Sequence, residues 1–182
     1  MVSEDITRRR EEYMQLMRDH GAMPPARITE SVRESQARLL AVLAPVPEEQ
    51  AVRKPAPEEW GLRELALHAA FTEHLVAKLI HHTARGEAPS AEDLRGAGIG
   101  MMPDDDGRPY ASVLDELRER NDEVVAAIAA LPDAPNLEFR LPHPFFGPLN
   151  CLEWAGFQRV HDTDHLQHAE KIIAAISPRA HG

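Results

Sequence analysis

Four histidines stand where the apolar pattern of a helix predicts leucine or isoleucine. Three of them, His161, His165 and His168, belong to the last long segment of the chain, and His68 belongs to an earlier one. With about 3.6 residues per turn, the three imidazoles project from the same face as the apolar residues of their segment. Burying several imidazoles without partners is costly, and a shared divalent metal ion removes that cost. The pattern therefore predicts a metal site built from imidazole nitrogens.

Within the last segment, two pairs of histidines are close enough to share one ion. His161 and His165 are at i, i+4, and His165 and His168 are at i, i+3, so the spacing alone fits either pair. His68 supplies a third imidazole from the apolar face of a different segment. Three histidines with open coordination positions are typical of a reactive metal centre, whereas structural zinc has four protein ligands. The alternative is a set of core histidines satisfied by hydrogen bonds.

Two further arrangements could do chemistry, and both have simpler explanations. The segment from His161 to His165 has the spacing of a metalloprotease motif with Asp162 in place of the glutamate base, but aspartate is shorter and no strand pattern accompanies it. Cys151, at the start of a predicted helix, could have a lowered pKa, although a lone cysteine there is more often packed. Six histidines off the ligand face are expected at the surface or behind the ligands: His20, His74, His81, His82, His143 and His181.

Length and composition limit the class of protein. The 182 residues suffice for one domain, which we expect to span 1–182 with an N-terminal extension at 1–22 and a tail at 178–182. A formal net charge of −10 disfavours nucleic-acid binding, and no stretch is apolar enough to span a membrane. The single cysteine permits neither an intrachain disulfide nor a cysteine-rich zinc site. We expect a cytoplasmic protein whose metal ligands are His, Asp or Glu.

Prolines mark where long helices can run, because proline breaks a helix interior. Four proline-free spans predict amphipathic helices and therefore an all-α fold, at 26–44, 58–88, 110–131 and 149–177. The long connection at 86–109 allows the second and third helices to lie parallel. The proline-rich segment 132–149 is expected to be a structured loop.

The N-terminal residues predict one more helix, short and charged, over 3–20. It carries an apolar set that a four-helix core does not need: Ile6, Tyr13, Met14 and Met17. Such a set most simply covers a partner subunit, so we expect a homodimer. The alternative is a helix folded back onto its own bundle.

Two segments of the chain resemble the signature segments of the DinB-like superfamily. The first, P-A-P-E-E-W-G-L-R-E-L-A-L-H, ends at His68, and the second, H-P-F-F-G-P-L-N-C-L-E-W-A-G-F-Q-R-V-H-D-T-D-H, ends at His165. The resemblance covers about residues 26–177 and implies a four-helix bundle of up-down-down-up topology with a long crossover between its second and third helices. It also implies that the ligands are His68, His161 and His165. His168 is then left as an alternate ligand or a residue behind the ligands, and Trp60 resembles a tryptophan that packs ahead of the ligand-bearing helix.

The resemblance bears on function as well. DinB-like proteins include DNA-damage-inducible proteins, bacillithiol- and mycothiol-dependent transferases and metal-dependent hydrolases. It implies an enzyme in which zinc or nickel activates water, or the thiolate of a low-molecular-weight thiol cosubstrate, toward a small-molecule substrate. The activity expected is that of an S-transferase or a hydrolase. The alternative is a non-catalytic stress-response or binding protein whose metal only holds the bundle together.

Overall fold

The computed structural model describes residues 2–93 and 107–177, with side chains from residue 7 onwards. Six helices and two short strands follow one another along the chain: α1 (Val2–Gly21), α2 (Pro25–Leu43), α3 (Glu48–Ala51), α4 (Leu62–Arg85), α5 (Tyr110–Ala129), β1 (Leu141–His143), β2 (Gly147–Leu149) and α6 (Cys151–Ile176). The four predicted long helices are α2, α4, α5 and α6. The N-terminal helix is present too, but at 20 residues it is not short.

Local sequence explains where the ligand-bearing helices begin and end. At the start of α6, the Asn150 side chain accepts hydrogen bonds from the backbone N–H groups of Leu152 and Glu153, while the Glu153 carboxylate accepts one from the Asn150 N–H. At the end of α4, Gly86 has φ +73°, a left-handed conformation that glycine adopts without steric cost. These caps fix the register of both helices at their ends.

The direction of each long helix follows from two apolar clusters stacked along the bundle. The first cluster contains the beginning of α2 and α6 and the end of α4 and α5, with members such as Ile28, Trp154, Ile80 and Ile128. The second contains the opposite ends of the same helices, with members such as Leu43, Ile172, Leu62 and Val113. Helices α2 and α6 therefore run one way and α4 and α5 the other. This confirms the all-α, up-down-down-up four-helix bundle.

A layer of buried polar side chains separates the two clusters, and we call it the polar layer: Ser35, Gln36, Glu73, Asn121, Gln158 and Asp162. Ser35 Oγ and Gln158 Nε2 donate hydrogen bonds to the two oxygens of Asp162, at 2.8 and 2.7 Å. Gln36 Nε2 donates to Glu73 at 3.2 Å, and the Asn121 amide, with its nitrogen toward Glu73, donates to the same carboxylate. Burial raises the pKa of both carboxyls, because it disfavours their charged forms.

Helix α1 lies against α6 of its own chain. Met17 is fully buried in the first apolar cluster, and Tyr13 and Met14 pack against that cluster half-buried. A Cβ atom on Gly156 would lie 2.7 Å from the Met17 carbonyl oxygen, so only glycine at this position allows so close an approach. The apolar set expected to meet a partner subunit is therefore covered by the chain's own bundle, as in the folded-back alternative; the side chain of Ile6 lies outside the described residues.

The segment 132–149 contains a hairpin that the sequence analysis did not predict. Strands β1 and β2 pair antiparallel, with Leu141 opposite Leu149 and His143 opposite Gly147. Each strand has three residues, too few for an alternating pattern to stand out. In the described ranges, none of the helices combines the length and hydrophobicity needed to cross a membrane.

Candidate metal centre

Three histidines from two helices converge at one side of the bundle, and we call them the histidine cluster: His68 from α4, and His161 and His165 from α6. The Nε2 atom of His161 lies 3.3 Å from that of His68 and 2.9 Å from that of His165. Two nitrogens bound at about 2.0–2.1 Å to one ion are separated by about 2.9 Å at a right angle and about 3.4 Å at a tetrahedral angle. The separations therefore fit a single divalent ion.

The hydrogen bonds among the described residues do not satisfy both ring nitrogens of His161. A neutral imidazole carries one N–H, so His161 Nε2 can form one good hydrogen bond but faces two ring nitrogens. His161 Nδ1 is buried and has no hydrogen-bond partner in the described part of the chain. The convergent Nε2 atoms form a donor set that fits a cation, while Nδ1 is the nitrogen that would keep its proton.

Burial keeps these rings in the form that binds metal. Burial, with a smaller contribution from the neighbouring His165 and His68, lowers the pKa of His161 well below its usual range. Burial likewise lowers the pKa of His165 to about 3, assisted by His68 and His168. Both imidazoles are therefore neutral near pH 7, and a neutral imidazole has a nitrogen lone pair free for a metal ion.

His168 stands beside the cluster rather than in it. Its ring centroid is 6.4 Å from that of His165 and 5.8 Å from that of Trp60. The ligand atoms that lie within 4.8 Å of one another come from His68, His161 and His165 only, among the described residues. Of the two pairs that the spacing allows, the structure thus brings His161 and His165 together with His68.

Trp60 packs directly on the histidine cluster. Its ring centroid lies 4.9 Å from that of His68 and 6.3 Å from that of His165, with the second pair stacked at 23°. The expected packing role at the start of the ligand-bearing helix thus includes contact with two imidazoles. Trp60 restricts the orientation of these rings and shields one side of the cluster from water.

A cavity of about 450 Å³ opens beside the cluster and is lined by His68, His161 and His165. Phe145, Phe146 and Phe157 form much of its wall. Three polar residues from α1 and α6 also line it: Arg9, Tyr13 and Asp164. Tyr13 donates a hydrogen bond to Asp164 at 2.9 Å, and Arg9 donates to both residues, at 3.0 and 3.2 Å. The cavity is thus mainly apolar, with a hydrogen-bonded polar group built on the N-terminal helix.

Two of the six other histidines are buried, contrary to the expectation that they lie at the surface or behind the ligands. His20, in the last turn of α1, is 1% exposed, and His143 is 6% exposed in the cavity wall. Burial lowers the pKa of each to about 4, with a smaller contribution from Arg159 at His20. The sequence signal that could have indicated the burial of His143 is the segment H-P-F-F-G, in which two aromatic residues and a turn glycine follow the histidine.

The remaining histidines do not reach the cluster. His74 contacts Glu123 at 2.7 Å and His82 contacts Asp93 at 3.3 Å. His81 is exposed at the end of α4, and His181 lies outside the described residues. These placements match the expectation for His74, His81 and His82.

The structure does not support the two other chemistries considered, a metalloprotease motif with Asp162 as its base and a reactive thiol at Cys151. Asp162 is buried in the polar layer, where Ser35 and Gln158 bind both of its oxygens, and it does not line the cavity. It is therefore not placed to act as a base on water in the cavity. Cys151 is fully buried, and burial raises the pKa of its thiol, which disfavours the nucleophilic thiolate.

Comparison with known sequences identifies the family. Residues 31–169 match the sequence model of the DinB superfamily, and the chain belongs to this family. Protein YuaE of Bacillus subtilis (strain 168), described as uncharacterized, is 27% identical to it over 142 residues, which make up 71% of this chain and 86% of YuaE.

Solved structures share the fold. TT2238, a four-helix bundle protein, is 23% identical with a TM-score of 0.54, and the match covers 81% of this chain and 99% of TT2238. A variant of mycothiol-dependent maleylpyruvate isomerase is 12% identical with a TM-score of 0.64, and the match covers 81% of this chain and 61% of the isomerase. YfiT of Bacillus subtilis, described as a probable metal-dependent hydrolase with an unusual four-helix bundle topology, is 15% identical with a TM-score of 0.58, covering 82% and 86%. At these identities the likeness establishes the fold alone.

Proposed function

We propose that this DinB-family protein is a metal-dependent enzyme whose divalent ion, zinc or nickel, is bound by His68, His161 and His165. Its reaction is the transfer of a low-molecular-weight thiol to a small-molecule substrate, or the hydrolysis of such a substrate. The observation that carries the proposal is the convergence of three ring nitrogens at the wall of a cavity of about 450 Å³. A bound ion would supply a Lewis acid that lowers the pKa of a coordinated water or thiol.

The number of ligands favours chemistry over a purely structural ion. A structural zinc ion has four protein ligands, whereas only three His, Cys, Asp or Glu ligands converge here in residues 2–93 and 107–177. The remaining coordination positions would face a cavity large enough for a small molecule. A metal that only held the bundle together would need no such cavity.

The protein residues have distinct roles in this proposal. The neutral imidazoles hold the ion, and Trp60 keeps two of them in place. The three phenylalanines of the cavity wall bind the apolar part of a substrate and exclude water, which strengthens electrostatic interactions inside. The description of YfiT as a probable metal-dependent hydrolase supports hydrolysis, and that of the isomerase as mycothiol-dependent supports the use of a low-molecular-weight thiol in this fold.

Metal analysis followed by activity measurements tests the proposal. We expect about one equivalent of zinc or nickel per chain in the purified protein. Turnover of a panel of thiol conjugates and esters should be lost on chelation and restored when the metal is returned. Stoichiometric metal without turnover of any member would favour the alternative, a stress-response or binding protein with a structural metal. A variant with His81→Ala is the control, because that imidazole is exposed and remote from the cluster.

We also propose that the protein is a homodimer, although α1 no longer supports this idea because its apolar residues meet the chain's own α6. The remaining support is the frequency of two-fold dimers among soluble proteins. Light scattering would report about twice the chain mass. A monomer at all concentrations tested would contradict the proposal.

A further inference from the structure

His143 places a fourth imidazole in the wall of the metal cavity, on an element that carries none of the ligands. It is the last residue of β1, and its ring packs between the rings of Phe146 and Phe157, with centroid distances of 4.7 and 4.8 Å. Only 6% of the residue is exposed. The sequence analysis gave it no role in binding.

The hairpin turn fixes the tautomer of this ring. The backbone N–H groups of Phe145 and Phe146 both donate to His143 Nδ1, each at 3.1 Å. A nitrogen that accepts two hydrogen bonds must present its lone pair, so it carries no proton. The ring proton is therefore on Nε2, at the edge of the imidazole away from the turn.

Among residues 2–93 and 107–177, the His143 Nε2–H donor has no hydrogen-bond partner, and Nε2 itself is buried. A buried donor that is left unpaired is destabilising, and such groups are rare in folded proteins. The residue lines the cavity that the histidine cluster also lines. A ligand that enters the cavity and shifts the side chains around Nε2 would give this donor its acceptor.

We propose that the His143 Nε2–H donates a hydrogen bond to the ligand of the metal cavity, and that this ligand carries a carbonyl-type oxygen a few bonds from its metal-binding atom. The inference rests on the proposed function, because it assumes an ion at the histidine cluster. It makes His143 a positioning residue that selects among metal-binding small molecules.

The position of His143 explains why the acceptor is separate from the metal-binding atom. His143 is not in the group of ligand nitrogens that lie within 4.8 Å of one another. The Phe157 ring contacts both His143 and His161, with centroid distances of 4.8 and 5.4 Å, and thus spaces the donor from the cluster. The neighbouring walls are phenylalanine rings, so a neutral acceptor such as an amide or ester carbonyl suits the site better than a charged one.

The tautomer is tested directly by nuclear magnetic resonance on protein labelled with ¹⁵N in its histidines. We expect the His143 ring to be neutral near pH 7 with its proton on Nε2, in the presence or absence of metal. A proton on Nδ1 would overturn the inference. This measurement requires neither turnover nor a bound ligand.

The role in binding is tested with the cobalt-loaded protein and two neutral thiols. N-acetylcysteamine has an amide carbonyl, whereas butanethiol is a thiol of similar length without one, and the sulfur-to-cobalt charge-transfer absorption reports the binding of each. In His143→Asn, the shorter amide can still accept from the two backbone N–H groups at the position of Nδ1, but no donor reaches the position of Nε2. We expect the affinity for N-acetylcysteamine to fall roughly tenfold, as for the loss of one hydrogen bond, with butanethiol unchanged.

Two further variants complete the experiment. His143→Gln carries an amide N–H near the position of Nε2, so we expect it to bind N-acetylcysteamine within about threefold of the wild type. His81→Asn, the matched control at an exposed histidine, should change neither affinity. Equal losses for both thiols in His143→Asn, or no loss for either, would overturn the inference while leaving the metal site intact. A wild-type protein that binds none of cobalt, zinc and nickel at the histidine cluster would instead overturn the proposed function.

Discussion

Two buried polar clusters lie near the middle of this bundle, and consecutive residues of α6 belong to different ones. His161 belongs to the histidine cluster, and Asp162 belongs to the polar layer. In the polar layer, each carboxylate accepts hydrogen bonds from two side chains, and none of its residues lines the cavity. In the histidine cluster, ring nitrogens face one another, and the cluster opens onto the cavity.

The difference shows how buried polar groups can be sorted into architectural and functional ones. A network whose carboxyl groups are bound by amides and a hydroxyl makes the packing of four helices specific, and it does not face the cavity. A cluster whose ring nitrogens face one another beside a cavity would be completed by a bound cation. Access to the cavity thus separates the two clusters. Hydrogen-bond completeness does not, because Gln158 Oε1 in the polar layer also lacks a partner among the described residues.

The largest expected effect is loss of the metal from the histidine cluster. The double substitution His161→Ala with His165→Ala, or His68→Ala alone, should abolish stoichiometric binding of divalent metal, because too few imidazoles remain to hold the ion. Metal content after gel filtration measures this, with His81→Ala and His82→Ala together as the control. Full metal content in the double variant would show that the ligands lie elsewhere.

Lowering the pH should also release the metal ion from the histidine cluster, and this release should be reversible. Protons compete with the ion for the imidazoles, and burial has lowered the pKa values of His161 and His165, so release should begin only below the usual imidazole value of about 6.5. Dialysis at a series of pH values, followed by metal analysis, gives the midpoint. Release centred at or above the usual imidazole value would instead show that burial does not keep these ligands neutral at lower pH.

Damage to the polar layer should have the opposite signature, with stability lost and metal retained. Glu73→Ala removes the carboxylate that accepts from Gln36 and Asn121 and opens a small void, so we expect a loss of about 2–4 kcal/mol in the free energy of unfolding. Urea denaturation measures it, and the exposed Glu59→Ala is the control. Loss of metal at undiminished stability would contradict the division between the two clusters.

A substitution at His168 tests whether the metal ligands are limited to the three residues of the histidine cluster. Because it stands beside His165 without joining the three convergent nitrogens, His168→Gln should keep the metal and the fold and change the affinity by about tenfold to a hundredfold at most. Competition with a chromophoric chelator gives the affinity. Complete loss of metal would instead make His165 and His168 the ligand pair and His161 the bystander.

The smallest effect is the change of stability with rising pH, and it belongs to the polar layer. Burial, followed by the charge of Asp162, raises the folded-state pKa of Glu73, so the folded state holds its proton to higher pH than the unfolded chain does. Stability is therefore greatest at low pH with respect to this group and falls as pH rises, by about 1.4 kcal/mol per unit of pKa difference. Glu73→Gln should reduce this slope as the pH rises above the usual carboxyl value of about 4.3, as followed by thermal unfolding, while Asp162 continues to contribute to it. An unchanged slope would show that the carboxyl titrates normally.

The features that could be predicted from the sequence are those that depend on a local pattern of residues. Proline positions bounded the four long helices, and the helical face of His161 and His165 placed both toward His68. The polar layer could not be predicted because Gln36 and Asn121 are unremarkable in their own helices, and they meet Glu73 only after the helices pack. The burial of His143 depends in the same way on a hairpin whose three-residue strands leave no periodic signal.

The lack of a side chain at Gly156 determines which residues form part of the cavity wall. It lets α1 approach α6 closely enough for Arg9 and Tyr13 to form part of the cavity wall. The three histidines lie within the range 31–169 that matches the family, whereas Arg9 and Tyr13 lie outside it. The histidine cluster thus lies in the part of the chain that matches the family, and the part of the cavity wall built on α1 lies outside it. Substitutions on that helix can retune which molecules enter without disturbing the residues that would hold the ion.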